Sequence, residues 1–137
     1  IDSQQCRVIQ TSDFKVSSSK ILHLAQKIAE FQILFTHTGG VHAAALFDQN
    51  ADLQFVREDV GRHNALDKLI GTCLLKNQIP LTGSIIFMSS RAGFEIVQKA
   101  IMAQVPVLVC VGSPTSLAID LARNFNLTLI GFANNNR

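Results

Sequence analysis

One stretch of twelve positions concentrates side chains capable of chemistry: Arg57-Glu58-Asp59-Val60-Gly61-Arg62-His63-Asn64-Ala65-Leu66-Asp67-Lys68. Eight of the twelve are ionisable or carry amides, in a chain that is only 16% charged. An apolar run leads into this stretch, and a helical apolar pattern (Ala65, Leu66, Leu69, Ile70) leads out of it. A turn this polar between two core elements exceeds what solubility requires, and it marks a site. Two later turns have the same character, Ser89-Ser90-Arg91 and Gly112-Ser113-Pro114-Thr115. Each sets backbone N–H groups at a helix start beside hydroxyls or an arginine, a design suited to phosphate or pyrophosphate.

Plainer readings compete at each position. An N-cap role alone would account for Ser89 or Ser90, and ordinary turn-and-cap chemistry for residues 112–115. Asp67 and Lys68 fit a solvated helix face. His42, in an apolar strand, fits a hydrogen-bonded core histidine as well as a site residue. His23 and His37 carry little signal. Arg62, His63 and Arg91, basic groups at two helix starts, are the firmest candidates.

The elements that must position these residues follow from hydrophobic period and turn chemistry. Residues 1–16 read as an irregular leader with a short strand near 7–10. Ser17, Ser18 and Ser19 offer an N-cap for a helix over 20–31, in which Ile21, Leu24, Ile28 and Phe31 share a face. A short strand over 33–36 leads to residues 37–40. Strands over 41–47 and 53–57 form a hairpin across the polar turn at 48–52. Helices are expected over 62–76, 91–103 and 116–124, and further strands over 84–89, 105–111 and 127–132. Continuous apolar strands alternating with helices indicate parallel strands buried on both faces. The expected architecture is a three-layer α/β/α sandwich with a mixed sheet of about five strands. In such sheets the binding crevice lies beyond the carboxyl ends of the parallel strands, where the three polar turns would meet. The end of the last strand, with the tail to Arg137, should reach the same rim.

Bulk properties agree and exclude several classes. At 137 residues the chain fits one domain, able to bury about two-thirds of its unfolded surface without a disulfide or metal. No apolar run approaches the ~18 residues of a membrane span, and residues 1–5 lack a signal peptide's features. The absence of a starting Met is expected of a processed or excised piece. A net charge of +2 gives no bulk attraction for nucleic acid. Cys6, Cys73 and Cys110 form no C-x-x-C pair, which argues for reduced thiols in the cytosol and against a zinc site.

Several blocks in order carry a family resemblance. They are Thr38-Gly39-Gly40-Val41-His42-Ala43-Ala44-Ala45, residues 58–68 of the opening stretch, Ser89-Ser90-Arg91 with Glu95, and Leu127-Thr128-Leu129-Ile130-Gly131-Phe132 with the closing Arg137. Together they resemble the formate dehydrogenase accessory proteins from about Thr11 to the end. The resemblance implies a cytidine deaminase-like fold and a cytoplasmic homodimer acting as a sulfur carrier in molybdenum-cofactor maturation. Such a carrier takes persulfide sulfur from a cysteine desulfurase. It passes the sulfur to bis-molybdopterin guanine dinucleotide before that cofactor enters formate dehydrogenase. The resemblance places the guanine nucleotide portion on the loop Phe132, Ala133, Asn134, Asn135, Asn136 and Arg137, with Phe132 and Arg137 matching best. Arg62, His63, Arg91, Ser89, Ser90 and His42 would complete this cofactor-binding site, with residues 17–137 as its domain.

Two departures matter. The family's C-G-x-C-G sulfur-carrying motif is absent from this sequence, and Cys6 has neither a second cysteine nor glycines to replace it. Gly93 stands where the family usually has serine. The deaminase likeness fails on chemistry, because a zinc deaminase needs H-x-E and P-C-x-x-C. Here His63-Asn64-Ala65 keeps only the histidine, and Ser89 to Gly93 contain no cysteine. Deamination and catalytic zinc are therefore excluded. A non-catalytic module that docks nucleotide or protein remains the alternative to the sulfur carrier.

Overall fold

The computed structural model describes Leu24, Lys27 and residues 42–78 and 81–132. Five strands and three helices occur among them. The strands are β1 (His42–Asp48), β2 (Leu53–Asp59), β3 (Ser84–Met88), β4 (Val107–Val111) and β5 (Thr128–Phe132). The helices are α1 (Arg62–Leu75), α2 (Phe94–Met102) and α3 (Ser116–Asn124). Leu24 and Lys27 are helical, while the rest of the helix expected over 20–31 and the strands expected near 7–10 and 33–36 lie outside the described residues.

The sheet order is β2-β1-β3-β4-β5. β1 runs antiparallel to both neighbours, and β3, β4 and β5 run parallel. β2 through β5 therefore all point the same way, with β1 alone reversed. The connections through α1, α2 and α3 all step across the sheet in one direction, so a uniform crossover hand puts all three helices on one face. The core agrees. Ala44, Leu46, Ile86, Met88, Leu108 and Cys110 face Leu66, Leu69, Ile96, Val97, Ile101 and Leu121 from the helices. The alternate strand residues Ala45, Phe47, Ile85, Phe87, Val107 and Val109 form a second core with Leu24 on the other face. Burial on both faces is why these strands are apolar runs rather than alternating ones.

Element ends depart from the sequence expectation for local reasons. Each helix closes with a left-handed residue: Asn77, Gln104 and Asn126, at φ 58°, 61° and 64°. The next N–H reaches back to the carbonyl of Cys73, Ala100 or Ala122, at 2.8, 3.1 and 2.9 Å. Val105 and Leu127 are used in these closures, so β4 and β5 begin later than their apolar runs. α2 begins at Phe94 rather than Arg91. Gly93 is extended at φ −89°, ψ −179°, and the Ala92 carbonyl accepts from Thr115 N at 3.2 Å. β2 extends beyond Arg57 because Glu58 and Asp59 still pair with Ala43 and His42. No helix among the described residues is long and apolar enough to cross a membrane.

Gly71 lies inside α1, and a Cβ placed there meets nothing within 4 Å. Gly71→Ala should stabilise the chain by about 0.5–1 kcal/mol by removing glycine's entropic cost in a helix. Urea denaturation measures this, and a fall in midpoint would contradict the open packing at that position.

Candidate functional site

The common direction of β2 to β5 brings their carboxyl ends to one edge of the sheet, where β1 contributes its amino end. The turns Asp59–Gly61, Ser89–Gly93 and Gly112–Thr115 gather at this edge, as the sequence reading expected. His42 joins them through its pairing with Asp59. Phe132 ends β5 at the same edge, and Ala133, Asn134, Asn135, Asn136 and Arg137 lie outside the described residues.

Asp59 holds the first turn. Its Oδ1 accepts from Gly61 N at 3.0 Å, and its Oδ2 lies 2.8 Å from Lys68 Nζ. Lys68 also donates to the Glu58 carbonyl at 3.0 Å. The Lys68 hydrogen bond, the Gly61 N–H and the Asn64 amide hold the Asp59 carboxyl down to a pKa of about 2. Lys68 is thus a clasp on the turn rather than an idle charge on a solvated face. Asp67, the other half of that reading, receives Lys99 Nζ of α2 at 2.6 Å.

One turn nearer the crevice, His63 Nδ1 lies 3.7 Å from Glu95 Oε2. That is too long for a hydrogen bond, and Nδ1 is buried without a hydrogen-bond partner among the described residues. Asp67–Lys99 thus ties α1 to α2, with His63 and Glu95 facing each other one turn away. Glu95 faces a histidine, and Glu58 contributes through its carbonyl.

The helix starts differ in a way that bears on ligands. α3 is capped by Thr115, whose Oγ1 accepts from Ala118 N at 3.1 Å. α1 and α2 begin at Gly61 and Gly93, and neither start has a side-chain cap. Ser89 and Ser90 therefore do not cap α2. The Ser89 hydroxyl accepts from Ala43 N at 2.8 Å, which leaves its own proton to donate. The buried Ser90 hydroxyl donates to the Arg91 carbonyl at 3.1 Å.

Arg62 and Arg91 are exposed, and neither is paired with a carboxylate among the described residues. Arg91 Nε donates to the Ser113 carbonyl at 3.0 Å. The roles of Lys68, Lys99 and Ser113 were not anticipated from sequence, because each depends on a partner distant in the chain. No group of three His, Cys, Asp or Glu residues among those described is placed to bind a metal. Cys73 and Cys110 are buried, and burial raises both thiol pKa values against smaller opposing effects of Arg57 and the Ala92 backbone. A hollow of about 280 Å³, lined by residues including Asp48, Gln54, Gln78 and Leu81, lies at the opposite edge of the sheet. It holds none of the candidate residues.

The FdhD/NarQ family model matches residues 2–137. A sulfur carrier protein FdhD from Picrophilus torridus is 50% identical over 129 residues, covering 94% of this chain and 49% of the relative. Its namesake from Streptomyces coelicolor is 47% identical over 125 residues, with 91% and 44% covered. The chain thus spans about half the length of the curated relatives it matches. Among solved structures, one assigned as a formate dehydrogenase accessory protein from Desulfotalea psychrophila superposes with TM-score 0.82 at 28% identity, covering all of this chain and 58% of that one. A guanine deaminase from Nitrosomonas europaea superposes with TM-score 0.58 at 12% identity, with 88% and 81% covered. At that identity the likeness concerns the fold alone, and it bears out the deaminase-like architecture.

Two outcomes follow from this geometry. Asp59 is ionised more readily folded than unfolded, so its contribution is complete above its ordinary pKa of 3.8 and fades as pH falls toward about 2. Asp59→Asn should lower the melting temperature at neutral pH, and the gap from wild type should close across that window. A gap independent of pH would remove the carboxylate from the account. Separately, Cys73 and Cys110 should resist iodoacetamide in the native chain and react once urea exposes them.

Proposed function

Because the chain belongs to the FdhD/NarQ family, we propose that it is the cofactor-binding half of a sulfur carrier serving formate dehydrogenase. One observation carries this reading: two neighbouring helix starts without side-chain caps face the same edge as two arginines that have no carboxylate partner among the described residues. Free N–H groups, the positive ends of α1 and α2, and Arg62 and Arg91 together fit a pyrophosphate better than they fit any neutral ligand.

The cargo is bis-molybdopterin guanine dinucleotide, held as substrate through its guanine nucleotide portion. Arg62, Arg91 and Arg137 neutralise phosphate oxygens, with Arg able to bind two at once. His63 adds a donor beside them, and His42 borders the site next to Asp59. Ser89 donates its remaining proton to the ligand, and Ser90 holds the Arg91 backbone. Phe132, Ala133, Asn134, Asn135, Asn136 and Arg137 form the loop around the guanine. Asp59 and Lys68 keep the first turn in the shape that presents Gly61, Arg62 and His63. The sulfurtransferase step itself belongs to a cysteine pair of the family motif, not to the buried Cys73 or Cys110. A cysteine desulfurase supplies the sulfur, formate dehydrogenase receives the finished cofactor, and the carrier works as a cytoplasmic homodimer.

Exposed Leu74 and Leu75, at 62% and 86%, favour a second reading in which the chain docks a protein and holds no nucleotide. Calorimetric titration with GDP separates the two. The wild-type chain should bind GDP, and Arg91→Ala should weaken binding by about 1–3 kcal/mol, the range for losing a charge-assisted hydrogen bond. No heat of binding and no thermal stabilisation by GDP, with a protein partner still captured, would leave the docking reading in its place.

A further inference from the structure

Ser113 offers the carbonyl that holds Arg91, and both of its chain neighbours are wedged against β5. A Cβ built on Gly131 would lie 2.8 Å from the Gly112 carbonyl oxygen and 2.9 Å from Pro114 Cδ. Both are rigid atoms, so any side chain at 131 must push the turn away. Gly112 itself sits at φ +85°, and a Cβ there would meet Arg91 Cγ at 3.1 Å. The segment around Arg91 is tied to this turn again through Thr115 N and the Ala92 carbonyl at 3.2 Å. The contacts thus form one chain: Gly131 lets the turn seat, the seated turn aims the Ser113 carbonyl, and that carbonyl takes Arg91 Nε at 3.0 Å.

We propose that Gly131 and Gly112 are positioning residues for Arg91, and that the close packing of β5 on the β4–α3 turn sets the direction in which the guanidinium meets an anion. Fixing Nε on a backbone carbonyl restricts the side chain to a narrow set of rotamers and leaves the rest of the planar fork free to meet an anion. The ligand part of this proposal rests on the nucleotide reading given above. The geometric part does not, since it concerns how Arg91 is held in the free chain.

Arginine side-chain N–H signals in ¹⁵N-correlated spectra test the geometric part without any ligand. The Arg91 Nε–H, assigned by its loss in Arg91→Ala, should be protected from exchange in wild type. It should lose that protection in Gly131→Ala and keep it in the control Gly71→Ala. If Gly131→Ala does not fold, Pro114→Gly, which loosens the same turn and adds no atoms, should have the same effect. Retained protection in whichever variant folds would overturn the proposal.

GDP titration tests the rest through a double-mutant cycle. Gly131→Ala should weaken GDP binding by about tenfold, within the range expected from the loss of a charge-assisted hydrogen bond. In the Arg91→Ala background it should weaken binding by less than about twofold. Full additivity would overturn the positioning role while leaving nucleotide binding intact. Absence of GDP binding in wild type would instead remove the nucleotide reading, with the spectra still deciding how Arg91 is held.

Discussion

The hand of the crossover connection is the constraint on which this molecule depends. β2, β3, β4 and β5 point one way, and each is joined to the next by a helix that steps across the sheet in the same direction. A uniform hand leaves one outcome: three helices on one face, with all their amino ends at one edge. Positive helix ends and free N–H groups then collect where the strands finish. No special loop is needed to give this edge a positive character, because the topology creates it. Side chains decide how much charge is added to that edge and how firmly the turns are held.

The treatment of the three helix starts shows how that edge is tuned. A side-chain cap is worth about 1 kcal/mol to a helix, and α3 takes one from Thr115. α1 and α2 begin on glycine and go without. Contacts further along act on the same two helices, where Lys68 clasps Asp59 and Lys99 meets Asp67. These ion pairs lie at or near the surface and contribute modestly, so their main effect is geometric. Lys68–Asp59 holds the turn before α1 and Lys99–Asp67 joins α1 to α2, while the arginines stay without carboxylate partners among the described residues.

This division explains which features were legible in the sequence. The strands and helices were visible as apolar runs and helical periods because both faces of the sheet are buried, which makes the pattern strong. The gathering of three turns at one edge was legible because they are polar islands between core elements. Element ends were less so. Val105 and Leu127 look like strand residues and are used instead to close helices, which depends on Gln104 and Asn126 accepting a left-handed backbone. Arg91 to Gly93 look like a first helical turn, yet Thr115 claims the Ala92 carbonyl from 23 positions away. Lys68, Ser113 and Gly131 acquire their roles only through partners elsewhere in the chain. Neither periodicity nor a local motif carries that information, and Gly131 reads as nothing more than a small residue in a strand.

The likeness to a guanine deaminase concerns the fold alone, so what the charges do here has to be read from this chain's own residues. A zinc deaminase concentrates positive charge at this edge with a metal ion and needs three ligands and a carboxylic acid to use it. At the corresponding helix starts this sequence offers His63 and no cysteine, and no group of three His, Cys, Asp or Glu among the described residues is placed to bind a metal. A doubly charged ion attacks a base through the water it activates. Two guanidinium groups and two helix ends instead spread positive charge over a wider area of this edge. Cys110 sits directly beneath the crevice, its Sγ 3.7 Å from the Gly112 carbonyl, and burial raises its pKa, which keeps it protonated and unreactive. Burial therefore takes Cys110 out of nucleophilic chemistry at this edge, and the equally buried Cys73 offers no substitute.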